Sequence, residues 1–336
     1  MNEERYQVDN SAGWTLDIRR FYDPHLLQKE RRPVVMVPGY CMNSFILNFH
    51  PTGTSMIASL VEAGFEVWAA NLRGQGDSRQ TSPRVLWRRE GYGFAALGLV
   101  DLPAALKFVR ENTACDTDQV DLVGCSLGAP VSYVYLAHHP EDHGVGALVN
   151  IGGPLRWNLV HPLVARVLTS PRLASLVPVR GTRRAARLAL PIAQRFPWLL
   201  SFYMNPSIID LSAADELVKT IDDPNRKLTG EIARWVRNRD LMVRGRNVCH
   251  SLYSVDIPLL CIIAGQDGIV NPESALSILD HIGSHDVEVL EVGTDEMPHA
   301  HADLFISEGV QKRVFDPLVK WLQKQAGSTI QEEKGA

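Results

Sequence analysis

No stretch of this sequence reaches the roughly 18 uninterrupted apolar residues of a membrane-spanning helix. The N-terminus, Met1-Asn2-Glu3-Glu4-Arg5-Tyr6-Gln7, has no positive patch leading into an apolar run. No secretion signal is recognisable there, so a cytoplasmic location is expected. An excess of charge of one sign is also missing. Net charge is −4 with 21% charged residues, so no basic block points to nucleic acid and no acidic run reads as a solvating tail. Cysteine is sparse and odd in number: Cys41, Cys115, Cys125, Cys249 and Cys261. No two stand at metal-ligand spacing, and all five read as reduced thiols.

What is present is ample apolar material. At 336 residues and 45% apolar, the chain can fill a large core. Short apolar runs alternate with helical patterns. Runs at Pro33 to Val37, Phe65 to Ala70, Gln119 to Val123, Gly146 to Ile151, Pro258 to Ala264 and Val287 to Val292 read as strands. Ser55 to Ala63, Phe94 to Arg110, Ala129 to Ala137, Pro272 to His281 and Val310 to Gln325 read as helices. This alternation predicts an α/β fold, a mainly parallel sheet with helices on both faces.

One region breaks the alternation. Residues 155–254 hold no convincing strand and are punctuated by Pro162, Pro171, Pro178, Pro191, Pro197 and Pro206. An all-helical cap inserted between two core parts, 1–154 and 255–326, is expected, followed by a polar, mobile tail at 327–336. The cap carries Arg180, Arg183, Arg184 and Arg187 beside Trp157, Phe196, Trp198, Phe202, Tyr203 and Met204. Plain helical packing under a solvated arginine face is one reading. An apolar substrate channel, with arginines meeting a lipid surface or an anionic ligand, is the other.

Val123-Gly124-Cys125-Ser126-Leu127-Gly128 carries the chemistry. It is a Gly-x-Ser-x-Gly pattern between a strand and a helix, the context in which a sharp turn lifts a serine hydroxyl above a sheet. Centring the pattern on Cys125 would put Val123 and Leu127 where close backbone approach needs glycine, so Ser126 is the candidate nucleophile. A serine needs a base, and the base a carboxylate, in the order Ser, Asp or Glu, His. Asp267 falls just past the strand ending at Ala264, whereas Asp295 and Glu296 share the loop of the histidines. His299 and His301, after the strand ending at Val292, are the two candidate bases, expected to titrate near pH 6 to 7. The oxyanion of acyl transfer needs two donors. The backbone N–H groups of Leu127 and Tyr40 are assigned to it, with Cys41 as the alternative to Tyr40.

Two other patterns compete. Arg73-Gly74-Gln75-Gly76-Asp77-Ser78 follows a strand but lacks the third glycine of a dinucleotide site. His299, His301 and Asp303 could group around a metal, but no second cluster matches them. No cofactor and no metal are expected.

The pattern resembles the α/β-hydrolases, and within them the acid-lipase branch. Ala63-Gly64-Phe65-Glu66-Val67-Trp68 followed by Asn71-Leu72-Arg73-Gly74 is similar to that branch's "AGYDVW…NSRG" segment. Asp101-Leu102-Pro103-Ala104 resembles "D-[LM]-PA", and His301-Ala302-Asp303-Leu304-Phe305 resembles the "HLDF" segment that carries the family's histidine. The resemblance selects His301 as base and covers roughly residues 30–153 and 255–325. Departures are Pro38-Gly39 in place of His-Gly, and Cys125 and Leu127 where His and Gln are common. The resemblance implies a serine hydrolase acting on small-molecule esters with an apolar acyl chain. An acyltransferase with the same three residues and a catalytically silent binding protein are the alternatives. Oligomeric state is not legible.

Overall fold

The computed structural model describes residues 1–81, 91–160, 162 and 180–335, and of 190, 197 and 327–335 the backbone alone. Two of the cap prolines, Pro171 and Pro178, lie outside the described residues. Eleven strands are described: β1 (Asn2–Asp9), β2 (Trp14–Tyr22), β3 (Val34–Val37), β4 (Val67–Asn71), β5 (Arg79–Gln80), β6 (Val120–Cys125), β7 (Val145–Ile151), β8 (Met242–Val243), β9 (Arg246–Asn247), β10 (Leu259–Ala264) and β11 (Val287–Val292). Nine form one sheet in the order β1-β2-β4-β3-β6-β7-β10-β11, with β5 beside β2. From β4 to β11 every pairing is parallel; β1, β2 and β5 join antiparallel.

The central strands read as unbroken apolar runs because both faces of the sheet are covered. Alternate residues serve two cores. Val35, Val37, Leu122, Leu148 and Cys261 face one, and Val34, Met36, Val123, Val149 and Ile262 face the other. The first core holds the helix Leu102–Asn112 and the elbow helix Gly128–His138; the second holds Met56–Glu62 and the final helix. Ser55 caps Met56–Glu62 by accepting from the Ala58 N–H, and Gly64 at φ 88° ends it.

Three expectations need correction. β1 and β2 have no counterpart among the strands read from the sequence. β1 alternates exposed with partly buried residues at the sheet edge, and only Val8 is buried, a weaker signal than the buried runs. The cap region is not free of strands, since β8 and β9 pair as a small antiparallel hairpin around Arg244 and Gly245. The last helix runs Asp316–Gly335 behind a π-helical turn, Gln311–Phe315, so the backbone of the segment set apart as a tail is helical to Gly335.

β3 lies between β4 and β6, so the chain leaves it to opposite sides and a crevice opens above its C-terminal end. The loops after β3, β6, β10 and β11 converge there. Among the described residues, no helix is long and apolar enough to cross a membrane.

Candidate active site

Ser126 sits between the end of β6 and the elbow helix with φ 51°, in the left-handed region. The strain is held by its surroundings: the Ser126 N–H donates to the Ile151 carbonyl at 2.8 Å. The two elbow glycines are needed for space. A Cβ on Gly124 would lie 2.4 Å from the Ala129 Cα, and one on Gly128 2.1 Å from the Val37 oxygen. Centred on Ser126, the pattern puts a glycine at both of these close approaches. Cys125 points down into the second core, fully buried, with its thiol pushed well up by burial.

His301 and Asp267 arrive from separate loops. His301 Nε2 lies 2.9 Å from Ser126 Oγ, and its Nδ1 lies 2.5 Å from Asp267 Oδ2. The other oxygen of Asp267 accepts the N–H groups of Ile269 and Val270 at 2.8 and 2.9 Å, which fixes the carboxylate in its plane. Both side chains are nearly buried. Burial opposes protonation of His301, but the Asp267 carboxylate and its hydrogen bond outweigh burial and raise the imidazole above its ordinary value. The titration expected near pH 6 to 7 therefore shifts upward. This geometry can pass a proton from the serine hydroxyl to the imidazole and stabilise the imidazolium.

His299 makes neither of these two hydrogen bonds. Its Nδ1 lies 3.0 Å from the Met297 carbonyl and its ring is buried in the loop. Asp295 and Glu296 are exposed, away from the imidazole. His299, His301 and Asp303 do not converge: the Asp303 carboxylate accepts the N–H of Ala300 at 2.6 Å and that of Asn205 at 3.0 and 3.1 Å. Asp303 is fully buried, and that burial, only partly offset by the Ala300 and Asn205 N–H groups and by His301, pushes its carboxyl up to about 7.

The loop after β3 passes directly over the serine; a Cβ on Gly39 would lie 3.0 Å from the Ser126 Cβ. Among the described residues, neither the Tyr40 nor the Leu127 backbone N–H donates to a protein acceptor. Two free donors beside a raised hydroxyl can hold an oxyanion. The loop is clamped from both sides. Gln75 donates to the Gly39 carbonyl at 3.0 Å from the core, and Asp222 donates its N–H to the Cys41 carbonyl at 2.8 Å from the cap. The Tyr40 hydroxyl meets Thr229 Oγ1, so its ring packs against the cap helix Arg226–Asn238.

Sequence reasoning missed three contributors. Gln75 belongs to the rejected Gly-x-Gly segment; its position after β4 was the available signal. Asp303 was weighed only as a metal ligand. Asn205, with the neighbouring Phe202 and Tyr203, carries no local signal: these residues tie the cap to the loops of Asp267 and His301 through Gly268, Ala302 and Asp303.

Residues 32–295 match the model of the alpha/beta hydrolase fold, and the chain belongs to that family. It is 27% identical over 188 residues to Lipase 3 of Drosophila melanogaster, covering 53% of this chain and 47% of that one. It is 29% identical over 145 residues to human lysosomal acid lipase/cholesteryl ester hydrolase, covering 41% and 35%. The chain thus spans about half or less of the length of these curated relatives. Among solved structures it is similar to a thermophilic esterase from Thermogutta terrifontis, with a TM-score of 0.61 at 16% identity over 96% of this chain and 99% of that one. An esterase from Exiguobacterium antarcticum gives 0.60 at 16% over 95% and 98%. At such identities these structures share the fold alone.

Proposed function

We propose that this chain is a serine hydrolase that cleaves carboxylic esters through an acyl-enzyme on Ser126. The carrying observation is the hydrogen-bonded series from Ser126 Oγ through His301 to Asp267, at 2.9 and 2.5 Å. Ser126 Oγ attacks the ester carbonyl as His301 Nε2 takes its proton. The oxyanion is held by the N–H groups of Leu127 and Tyr40. His301 then returns the proton to the departing alkoxide, and water, deprotonated by the same imidazole, releases the acid. Asp267 keeps the Nδ1 proton in place throughout. The ester class is supported by the lipase and esterase names of the relatives. An apolar substrate group is supported by a small cavity beside Ser126, walled by Met42, Ile46, Cys125, Ala302 and Phe305. The five cysteines, all free thiols, fit a cytoplasmic location.

The test is a fluorophosphonate probe read by peptide mass, together with p-nitrophenyl esters of graded chain length. The Ser126 peptide should carry the label, and Ser126→Ala should lose on the order of 10⁴ to 10⁶ in kcat. Labelling at Cys125 with Ser126 untouched would sink the mechanism. Ester formation on adding an alcohol acceptor, or thioester formation on adding a thiol, in place of hydrolysis, would make it an acyltransferase.

A further inference from the structure

Among the described residues, one side chain bordering the cavity beside Ser126, Tyr203, carries a hydroxyl that the proposed chemistry does not use. Apart from Ser126 and His301, the cavity's described walls are Gly39, Met42, Ile46, Cys125, Ala302 and Phe305, with the ring of Tyr203. Among the described residues, the Tyr203 hydroxyl donates only to the Met42 thioether sulfur, at 3.7 Å. A thioether is a weak acceptor, so this hydroxyl keeps most of its donor capacity for another partner. Its ring lies 6.2 Å from the His301 ring, centroid to centroid.

Tyr203 is held firmly in that place. Its carbonyl accepts the Ala302 N–H at 2.8 Å, and the carbonyl of Phe202 accepts the Gly268 N–H at 3.0 Å. The residue is therefore pinned to the two loops that carry His301 and Asp267. Burial, with Asp267 and Asp303 adding to it, pushes its phenol up to about 12, so the hydroxyl remains a proton donor at neutral pH.

We infer that Tyr203 is a specificity-determining residue, whose hydroxyl hydrogen-bonds an oxygen acceptor carried by the substrate group lodged in this cavity. The substrate class is thus a short ester whose otherwise apolar group bears an ether, keto or hydroxyl oxygen. An apolar pocket discriminates a methylene only weakly. A positioned donor left without its acceptor discriminates more, because the buried hydroxyl then loses its partner. This inference rests on the ester-hydrolase reading above.

Isosteric ester pairs test it. On the acyl side, p-nitrophenyl butanoate is compared with p-nitrophenyl methoxyacetate. On the alcohol side, butyl acetate is compared with 2-methoxyethyl acetate. Each enzymatic ratio of kcat/KM is divided by the ratio for hydroxide, which removes the inductive effect of the added oxygen. The wild type should prefer the oxygenated member of one pair by about tenfold, and Tyr203→Phe should lose that preference. The pair that responds identifies which side of the ester occupies the cavity. Met42→Leu, which removes only the competing sulfur, should keep or increase the preference. A wild-type ratio equal to the hydroxide ratio in both pairs overturns the inference, as does a preference that survives in Tyr203→Phe or vanishes in Met42→Leu. Failure of the wild type to hydrolyse any of the four esters overturns instead the ester-hydrolase reading beneath it.

Discussion

Replacing Asp267 by asparagine is the sharpest probe of the site, because the structure dictates which way the amide must turn. In the native protein one carboxylate oxygen accepts the His301 Nδ1 proton at 2.5 Å, and the other accepts the N–H groups of Ile269 and Val270. An asparagine has one acceptor end and one donor end. Its NH₂ cannot face two backbone N–H groups, so its oxygen stays with Ile269 and Val270. The NH₂ then points at Nδ1, which can meet it only as an acceptor. The ring proton moves to Nε2, where the imidazole can no longer take a proton from Ser126 Oγ at 2.9 Å. Loss of the right tautomer should reduce kcat by about 10⁴, equivalent to about 5.4 kcal/mol of barrier. The backbone bonds survive, so the melting temperature should shift by no more than a few degrees. Hydrolysis of a p-nitrophenyl ester, with thermal melting followed by circular dichroism, measures both. A D267N enzyme within tenfold of wild type, or a crippling loss in D295N at an exposed loop position, would refute the assignment of the acid.

The remaining predictions address base, loop and pH. His301→Ala should abolish hydrolysis, whereas His299→Ala should keep at least roughly a tenth of it, since the hydrogen bond of that ring is to Met297 in its own loop and not to Ser126 or Asp267; kcat for the two variants decides. Gln75→Ala unties the Gly39 carbonyl from the core and should lower kcat by roughly tenfold with KM little changed, less than the 10² to 10³ expected for losing an oxyanion donor outright. The log of kcat/KM should rise through an apparent pKa above the ordinary histidine value of 6.5, because only neutral His301 serves as base and its pKa is raised. Stability should run the opposite way. The folded state binds protons more tightly than the unfolded at Asp303, raised from 3.8 to about 7, and at Asp121, raised from 3.8 to about 6. Their stabilising contribution is complete below about pH 4 and is lost as pH rises through those values. Melting temperatures from pH 5 to 8 should therefore fall, and Asp303→Asn should flatten the slope; an unchanged slope would count against a carboxyl raised by burial there.

The parts of this molecule legible in the sequence are those with local causes. A strand buried on both faces writes itself as an unbroken apolar run, which is why β3, β6, β7 and β10 could be placed nearly to their ends. The elbow is local too, because Gly124 and Gly128 answer to contacts within a few residues and to one neighbouring strand. What was not legible depends on residues far apart in the chain. Gln75 reaches Gly39, and Asn205 reaches Asp303, but neither partner changes the local pattern around the other. Arg73 and Asp101 show the intermediate case. Both fell in segments resembling one family, yet nothing local pairs them; in the fold the guanidinium bonds both Asp101 oxygens, at 2.7 and 2.5 Å, and Asn10 joins at 2.6 Å. Arg73 of that buried pair directly precedes Gly74 and Gln75 in the chain. The family-like signal at Arg73 thus marks the support of the loop that covers Ser126, and the same segment that fails as a nucleotide site succeeds as a brace. A nine-stranded sheet brings these pairs together only once its strand order is set. A sequence read in windows therefore places Ser126, Asp267 and His301 just past their strand ends, but leaves unseen the distant residues packed around a series spaced at 2.9 and 2.5 Å.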